Sequence, residues 1–278
     1  MSDPTRPHLD QHTGPHVGIT IWTRYVALGD SFTEGMVDVD PANPDAYAGW
    51  ADRLAARLAR NASRENVPFS YANLAVRGRK LDDIVGPQLE RALAMGPDLV
   101  SIVGGGNDLL RPSVDLDALA TKLEDAVVSI RATGADVLMA TPTDTRDAGL
   151  FKALRGRHGV HSANIFTIAQ KHGAHVLNLW GMASIRDWRM WGEDRIHLNT
   201  PGHERVAEAA AVALGLRPST RDWDKPLPVA DRAARADELR AHAEWVRVHA
   251  APWVQRRVKG TSSGEAIQPK RPDLTPWE

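Results

Sequence analysis

A serine that follows a short apolar run and opens a helical stretch is well placed for nucleophilic chemistry. The run Tyr25-Val-Ala-Leu-Gly29 leads into Asp30-Ser31-Phe32-Thr33-Glu34-Gly35 in that way. There the hydroxyl faces a crevice, and nearby backbone N–H groups can stabilise negative charge. Taken alone, Gly29-Asp30-Ser31 reads better as a capped turn, so a base must be found elsewhere. Asp194-Arg195-Ile196-His197 supplies one. A carboxylate three residues before an imidazole can accept its Nδ1–H, fix the tautomer and leave Nε2 to take a proton from serine. Two glycine-bearing segments complete the set. Gly104-Gly105-Gly106-Asn107-Asp108 offers close backbone approach and an amide that can donate to an oxyanion, and Gly78 lies in Asn73-Leu-Ala-Val-Arg77-Gly78-Arg79-Lys80.

Competing motifs fit less well. A dinucleotide fingerprint over Gly104–Gly106 would need a glycine where Leu109 stands, and no Gly-Lys-Ser/Thr follows to make a phosphate loop. Asp194, His197 and His203 could ligate a metal, but neither cysteine nor an HExxH segment supports that. Gly260-Thr-Ser-Ser-Gly264 matches a nucleophile elbow letter for letter. It lies in a basic, proline-punctuated tail, however, and no histidine follows His249. Ser31 lacks the elbow's last glycine, since Thr33 stands there, so the ordinary α/β-hydrolase fold is disfavoured.

These segments must be positioned by regular elements. Strand-like runs occur at Tyr25–Gly29, Ser70–Val76, Pro97–Val103, Ala135–Ala140 and His175–Leu179. Helical patterns separate them at Tyr47–Ala62, Leu81–Ala94, Leu116–Ala132 and His161–His172, and Pro201–Leu214 follows the last strand. Strands alternating with helices imply an α/β fold, a parallel sheet with helices on both faces. Ligands in such sheets sit at the carboxyl ends of the strands, where the four segments fall.

Composition narrows the function classes. Among 278 residues, 34 Lys plus Arg against 35 Asp plus Glu leave a net charge of −1. That excludes binding to nucleic acid or anionic membrane through bulk charge. An apolar fraction of 42% suffices for a core, and no apolar run reaches the roughly 18 residues of a membrane span. Cysteine is absent, which removes disulfides, thiolate metal sites and a cysteine nucleophile. No basic n-region leads into an apolar h-region at the N-terminus, so a cytoplasmic location is expected.

Three regions are expected: a flexible arm over 1–20, a catalytic domain over 21–216, and a C-terminal extension over 217–278. In the arm, His8, His12 and His16 recur every four residues, but Pro7, Gly14 and Pro15 break any helix that would align them. The extension carries 7 of the 18 prolines and 12 Lys plus Arg against 9 Asp plus Glu. Val229–Ala251 reads as an amphipathic helix, followed by a basic tail with Arg256, Arg257, Lys259, Lys270 and Arg271. The Ala-rich face of that helix favours packing on the catalytic domain over binding a bilayer.

Taken together and in order, Gly29-Asp30-Ser31, Gly78, Gly106-Asn107-Asp108 and Asp194-x-x-His197 resemble the four blocks of the SGNH/GDSL hydrolase family of esterases and lipases. The resemblance spans about Tyr25 to Leu214, and the basic tail outside it is similar to tails of high-GC bacterial members. It implies a three-layer α/β/α sandwich with a five-stranded parallel sheet, Ser31 as nucleophile, His197 as general base and Asp194 as its orienting partner. It also implies an oxyanion hole from the backbone N–H groups of Ser31 and Gly78 and the Asn107 side chain. Neither cofactor nor metal is expected, and the partner is a small-molecule ester.

Substrate preference is less legible. Short-chain acyl or lipid-like esters lead, carbohydrate O-deacetylation follows, and a non-catalytic binding module using the same crevice is the reading from another class. Arg77, Arg79 and Lys80, and opposite them Asp38, Asp40 and Asp45, are expected to be solvated loop charges rather than ligands of an anionic leaving group. Trp188-Arg-Met-Trp191 could wall a substrate pocket or cover the sheet edge.

Overall fold

The structure is a computed structural model that describes residues 20–228, 245, 248, 264 and 266–277. Most of the expected Val229–Ala251 helix and nearly all of the arm lie outside these residues. Five parallel strands form the centre: β1 (Arg24–Leu28), β2 (Ser70–Asn73), β3 (Leu99–Ile102), β4 (Asp136–Ala140) and β5 (His175–Leu177). The tail adds a sixth, β6 (Arg271–Pro276), antiparallel to β2, so the order across the sheet is β5-β4-β3-β1-β2-β6. The expected parallel strands are all present. The additional one is spelled Arg-Pro-Asp-Leu-Thr-Pro, which carries no strand signal, and prolines are tolerated there because the strand lies at the sheet's edge.

Both sheet faces are buried. In β1, Tyr25 and Ala27 point into one core, while Val26 and Leu28 point into the other. The first core is closed by α2 (Trp50–Arg64) and α6 (Thr200–Ala213), and the second by α4 (Leu116–Ala132), α5 (Arg155–His172) and the helical stretch 81–94. Helix α2 buries Trp50, Leu54, Leu58 and Ala62, a repeat of four that keeps one apolar stripe on the sheet. It begins three residues later than the pattern suggests, because Asn43–Tyr47 pairs with Val39–Asp40 as a small hairpin. Helix α5 begins six residues earlier than its apolar period does, continuing a 3₁₀ stretch at Gly149–Leu154.

Strand order reverses between β1 and β3, since the chain moves outward from β1 to β2 and then returns to lay β3, β4 and β5 on the other side. At such a switch point the connections leave in opposite directions and open a crevice above the carboxyl ends. Ser31 follows β1 and Gly104–Asn107 follows β3, so both border that crevice.

Leu54 is fully buried between α2 and the sheet. Leu54→Ala should therefore lower the unfolding free energy by about 2–5 kcal/mol in urea titrations, without displacing the residues of the crevice.

Candidate active site

The four segments converge at the carboxyl edge of the sheet. Ser31 opens a one-turn helix, α1 (Ser31–Glu34), whose N-cap Asp30 accepts the Phe32 amide at 3.1 Å. Behind it Gly29 is clamped on both backbone groups by one side chain. The Gln88 carbonyl accepts its N–H and the Gln88 amide donates to its C=O, each at 2.9 Å. Gln88 reaches this place from a π-helical turn at Ile84–Gln88 that accommodates Pro87. A Cβ on Gly29 would lie 2.5 Å from Thr33 Oγ1 and 3.0 Å from the Val103 carbonyl, so no larger residue fits there.

His197 lies 166 residues along the chain from Ser31, yet its Nε2 is 3.0 Å from Ser31 Oγ, and its Nδ1 is 2.6 Å from Asp194 Oδ2. The other Asp194 oxygen accepts the amides of Ile196 at 2.9 Å and His197 at 3.0 Å. This tight loop forces Arg195 into the left-handed region at φ +55°. Burial alone would raise the Asp194 pKa, but the hydrogen bond and charge of His197 and the two backbone amides outweigh it and hold the carboxyl below its ordinary value. An ionised carboxylate on Nδ1 leaves Nε2 as the acceptor facing the serine hydroxyl, the geometry in which an imidazole can activate a nucleophile.

Asn107 stands in the segment that follows β3 at its carboxyl end. Its Nδ2 donates to Asp30 Oδ2 at 3.0 Å and to the Arg79 carbonyl at 2.9 Å, and Asp108 Oδ2 accepts the Leu81 amide at 2.9 Å. Gly78, at φ +75°, thus sits in a turn held on both sides: Arg79 by Asn107, and Arg77 by Glu34, which accepts the Arg77 amide at 2.7 Å and pairs with its guanidinium. Ser31, Asn107 and His197 line one cavity; Gly78 is not among its lining residues.

That cavity has a volume of about 240 Å³ and extends from the serine between Leu110, Phe151, Leu154, Ile185, Trp188 and Trp191. The two tryptophans therefore wall the pocket. At its polar end Asp144 pairs with Arg155 at 2.7 Å and with Arg186 at 3.8 Å. The loop charges divide differently from the solvated expectation. Arg77 lies on Glu34 and over the Tyr47 ring, while Asp38 is fully buried, paired with Arg53 and accepting the Thr200 hydroxyl at 2.7 Å. His203, considered as a metal ligand, accepts the Trp50 amide on Nδ1 at 3.2 Å; burial and the nearby Arg53 charge push its pKa down to about 3.

The sequence profile of the GDSL-like lipase/acylhydrolase family matches residues 27–205. The chain belongs to that family. It is therefore a carboxylic ester hydrolase, and the four blocks fall inside the matched span. A comparison with curated protein sequences finds no match. Among solved structures it is similar to LAE5, an α/β hydrolase from the metagenome of Lake Arreo (21% identity, TM-score 0.57), over 69% of this chain and 95% of that one. It is similar to TesA at 23% identity and TM-score 0.54, over 68% and 97% of the two chains. The acetylxylan esterase Axe2 from Geobacillus stearothermophilus resembles it at 18% identity and TM-score 0.57, over 76% and 97%. At these identities the likeness is one of fold. Among the described residues no helix is long and apolar enough to cross a membrane.

Several residues that shape this site have no motif to reveal them. Gln88 and Glu34 act on backbone groups of the Ser31 and Gly78 loops, and nothing in their spacing distinguishes them from surface residues. Asp30 is buried, and the loss of water around it pushes its carboxyl up to about 6 despite the Phe32 amide and the His197 charge. As pH falls through that value the native state takes up a proton that the unfolded chain does not yet bind, so this group favours the folded state increasingly from about pH 6 down to about 4. A ¹³C chemical-shift titration of the Asp30 carboxyl should give a midpoint near 6. A midpoint near the ordinary value of about 4 would contradict the burial.

Proposed function

We propose that the chain hydrolyses carboxylic esters by two-step acyl transfer, with Ser31 as nucleophile, His197 as general base and then acid, and Asp194 as the group that orients and stabilises the imidazole. The 3.0 Å approach of His197 Nε2 to Ser31 Oγ, with Nδ1 held by Asp194, carries this reading. As Oγ attacks the ester carbonyl, its proton passes to Nε2 and the carbonyl oxygen takes the negative charge. Collapse of the tetrahedral species breaks the ester C–O bond, and Nε2 returns the proton to the departing alcohol. Water then repeats the sequence on the acyl-enzyme, giving up its proton to Nε2, and releases the acid and free Ser31.

The developing oxyanion is assigned to the N–H groups of Ser31 and Gly78 and to the Asn107 amide. Asn107 Nδ2 already serves Asp30 and the Arg79 carbonyl, so its donation to substrate replaces or shares one of these contacts. Donors fixed before the reaction need little reorganisation when charge appears, which is why such groups contribute strongly to rate.

For the substrate, the apolar wall of Leu110, Phe151, Leu154 and Ile185 beside the serine supports an aliphatic acyl group in the cavity over the acetyl group of a carbohydrate. A carbohydrate ester would leave much of that apolar surface unfilled.

Ser31→Ala should reduce kcat by about 10⁴-fold or more and abolish labelling by a fluorophosphonate; appreciable residual turnover would remove Ser31 from the mechanism. Asn107→Ala should cost about 10²–10³-fold in kcat, measured on the same ester. Across a p-nitrophenyl ester series, kcat/KM should rise beyond the acetate as the acyl chain fills the cavity. Preference for acetate, together with deacetylation of acetylated xylan, would favour the carbohydrate reading.

A further inference from the structure

The family match ends at residue 205, and the three solved neighbours named above cover 68–76% of this chain, yet three residues beyond the match reach the loops of the site. Lys270 is the first. Its ammonium donates to the Glu34 carbonyl at 2.7 Å, to the Tyr47 carbonyl at 2.9 Å and to the Asp52 carboxylate. Glu34 ends the single turn that Ser31 begins, so three N–H donors with three acceptors fix the back of the nucleophile turn. The Lys270 side chain is only 16% exposed and sits immediately before β6, which anchors it to the sheet edge.

Gly264 is the second. A Cβ there would lie 2.1 Å from the Arg77 carbonyl and 2.9 Å from Val76 Cγ1, so the extension presses bare backbone against the turn that carries Gly78. Trp245 is the third. Its indole N–H donates to the Asp194 carbonyl at 2.9 Å, and its ring carries the Arg195 guanidinium at 5.3 Å. The same ring meets Phe151 of the cavity wall edge-on at 6.3 Å. The three residues reach three different loops, those of Ser31, Gly78 and Asp194–His197, and each of those loops has a role in the proposed chemistry.

We infer that the C-terminal extension is a positioning device for the active site. Lys270 fixes the nucleophile turn, Gly264 the Gly78 turn and Trp245 the Asp194–His197 loop. The inference rests on the Ser31–His197–Asp194 reading above. None of the three residues touches the reacting atoms, so they act through the loops they hold. Displacing such loops by about an ångström costs turnover more than binding.

The test uses the full chain. Lys270→Met should lower kcat on a p-nitrophenyl ester about 10- to 100-fold with KM within about 3-fold of the parent. Because that change leaves Asp52 without its cation, the neutral pair Asp52→Asn/Lys270→Met is made as well; it should regain thermal stability while kcat stays low. Trp245→Phe keeps the ring and loses the N–H. It should lower kcat and the rate of fluorophosphonate inactivation by the same factor, about 3- to 10-fold, roughly the worth of one hydrogen bond. Parental kcat in either single variant, or kcat recovering together with melting temperature in the neutral pair, would overturn the inference. Ser31→Ala separates the two levels. Turnover surviving in it sinks the serine reading, whereas an inert Ser31→Ala beside fully active Lys270 and Trp245 variants sinks only the extension's role.

Discussion

The site depends on one carboxylate with both oxygens committed. Asp194 Oδ1 takes two backbone amides and so sets the path of its own loop, while Oδ2 takes the imidazole Nδ1 that the loop delivers. The same residue therefore builds the turn and determines which ring nitrogen is left to face Ser31. Its lowered pKa has a matching consequence for stability. The imidazole and amide hydrogen bonds to the carboxylate stabilise the loop above the ordinary aspartate range, near 4, and that contribution is lost as pH falls through the depressed native value. A residue with a single acceptor could not do both, because the amides and the imidazole would compete for it.

Behind the serine the chain leaves β1 and turns sharply, which takes backbone donors and acceptors out of the sheet's ladder while they are still buried. Such groups are costly without partners, and the interior supplies side chains of matching polarity. Gln88 answers Gly29; Asn73 donates to the Thr33 carbonyl at 3.1 Å and accepts the Ala75 amide at 3.1 Å; Glu34 accepts the Arg77 amide. The polar residues inside this α/β core are concentrated where parallel strands end, so the switch-point crevice is both the place to bind a ligand and the place that most needs polar support. Asp30 joins the two requirements, capping the Ser31 turn with one oxygen and orienting Asn107 with the other.

How much of this was legible in the sequence follows from the range of the interactions. The apolar run of β1 and the four-residue stripe of α2 are local patterns, and both appear in the structure within a few residues of their expected bounds. Ser31, Asn107, Asp194 and His197 stand out in the sequence because the chemistry proposed for them requires particular residue types in segments that follow the strands. Gln88, Glu34 and Lys270 were not, because each serves a backbone group far along the chain, and a backbone carbonyl has no letter in the sequence. Asp38 departs from its solvated reading for a related reason: it reads as a hydrophilic turn residue until Arg53 and Thr200 arrive from two helices to bury it.

The basic tail carries that point furthest. Composition treats Lys270 and Arg271 as part of a charge surplus suited to a solvated segment, but one ammonium is spent on Asp52 and two carbonyls, and the neighbouring guanidinium stacks between Tyr71 and Trp277 at 5.5 and 5.3 Å. Both cations face inward because β6 closes the exposed edge of β2, and the proline-bearing strand in turn offers little to a further strand. Sealing that edge places Lys270 within reach of the Ser31 turn, since β2 neighbours β1 and Ser31 follows β1. Edge protection and support of the active site are thus two effects of one strand placement, which a net charge summed over the chain cannot register.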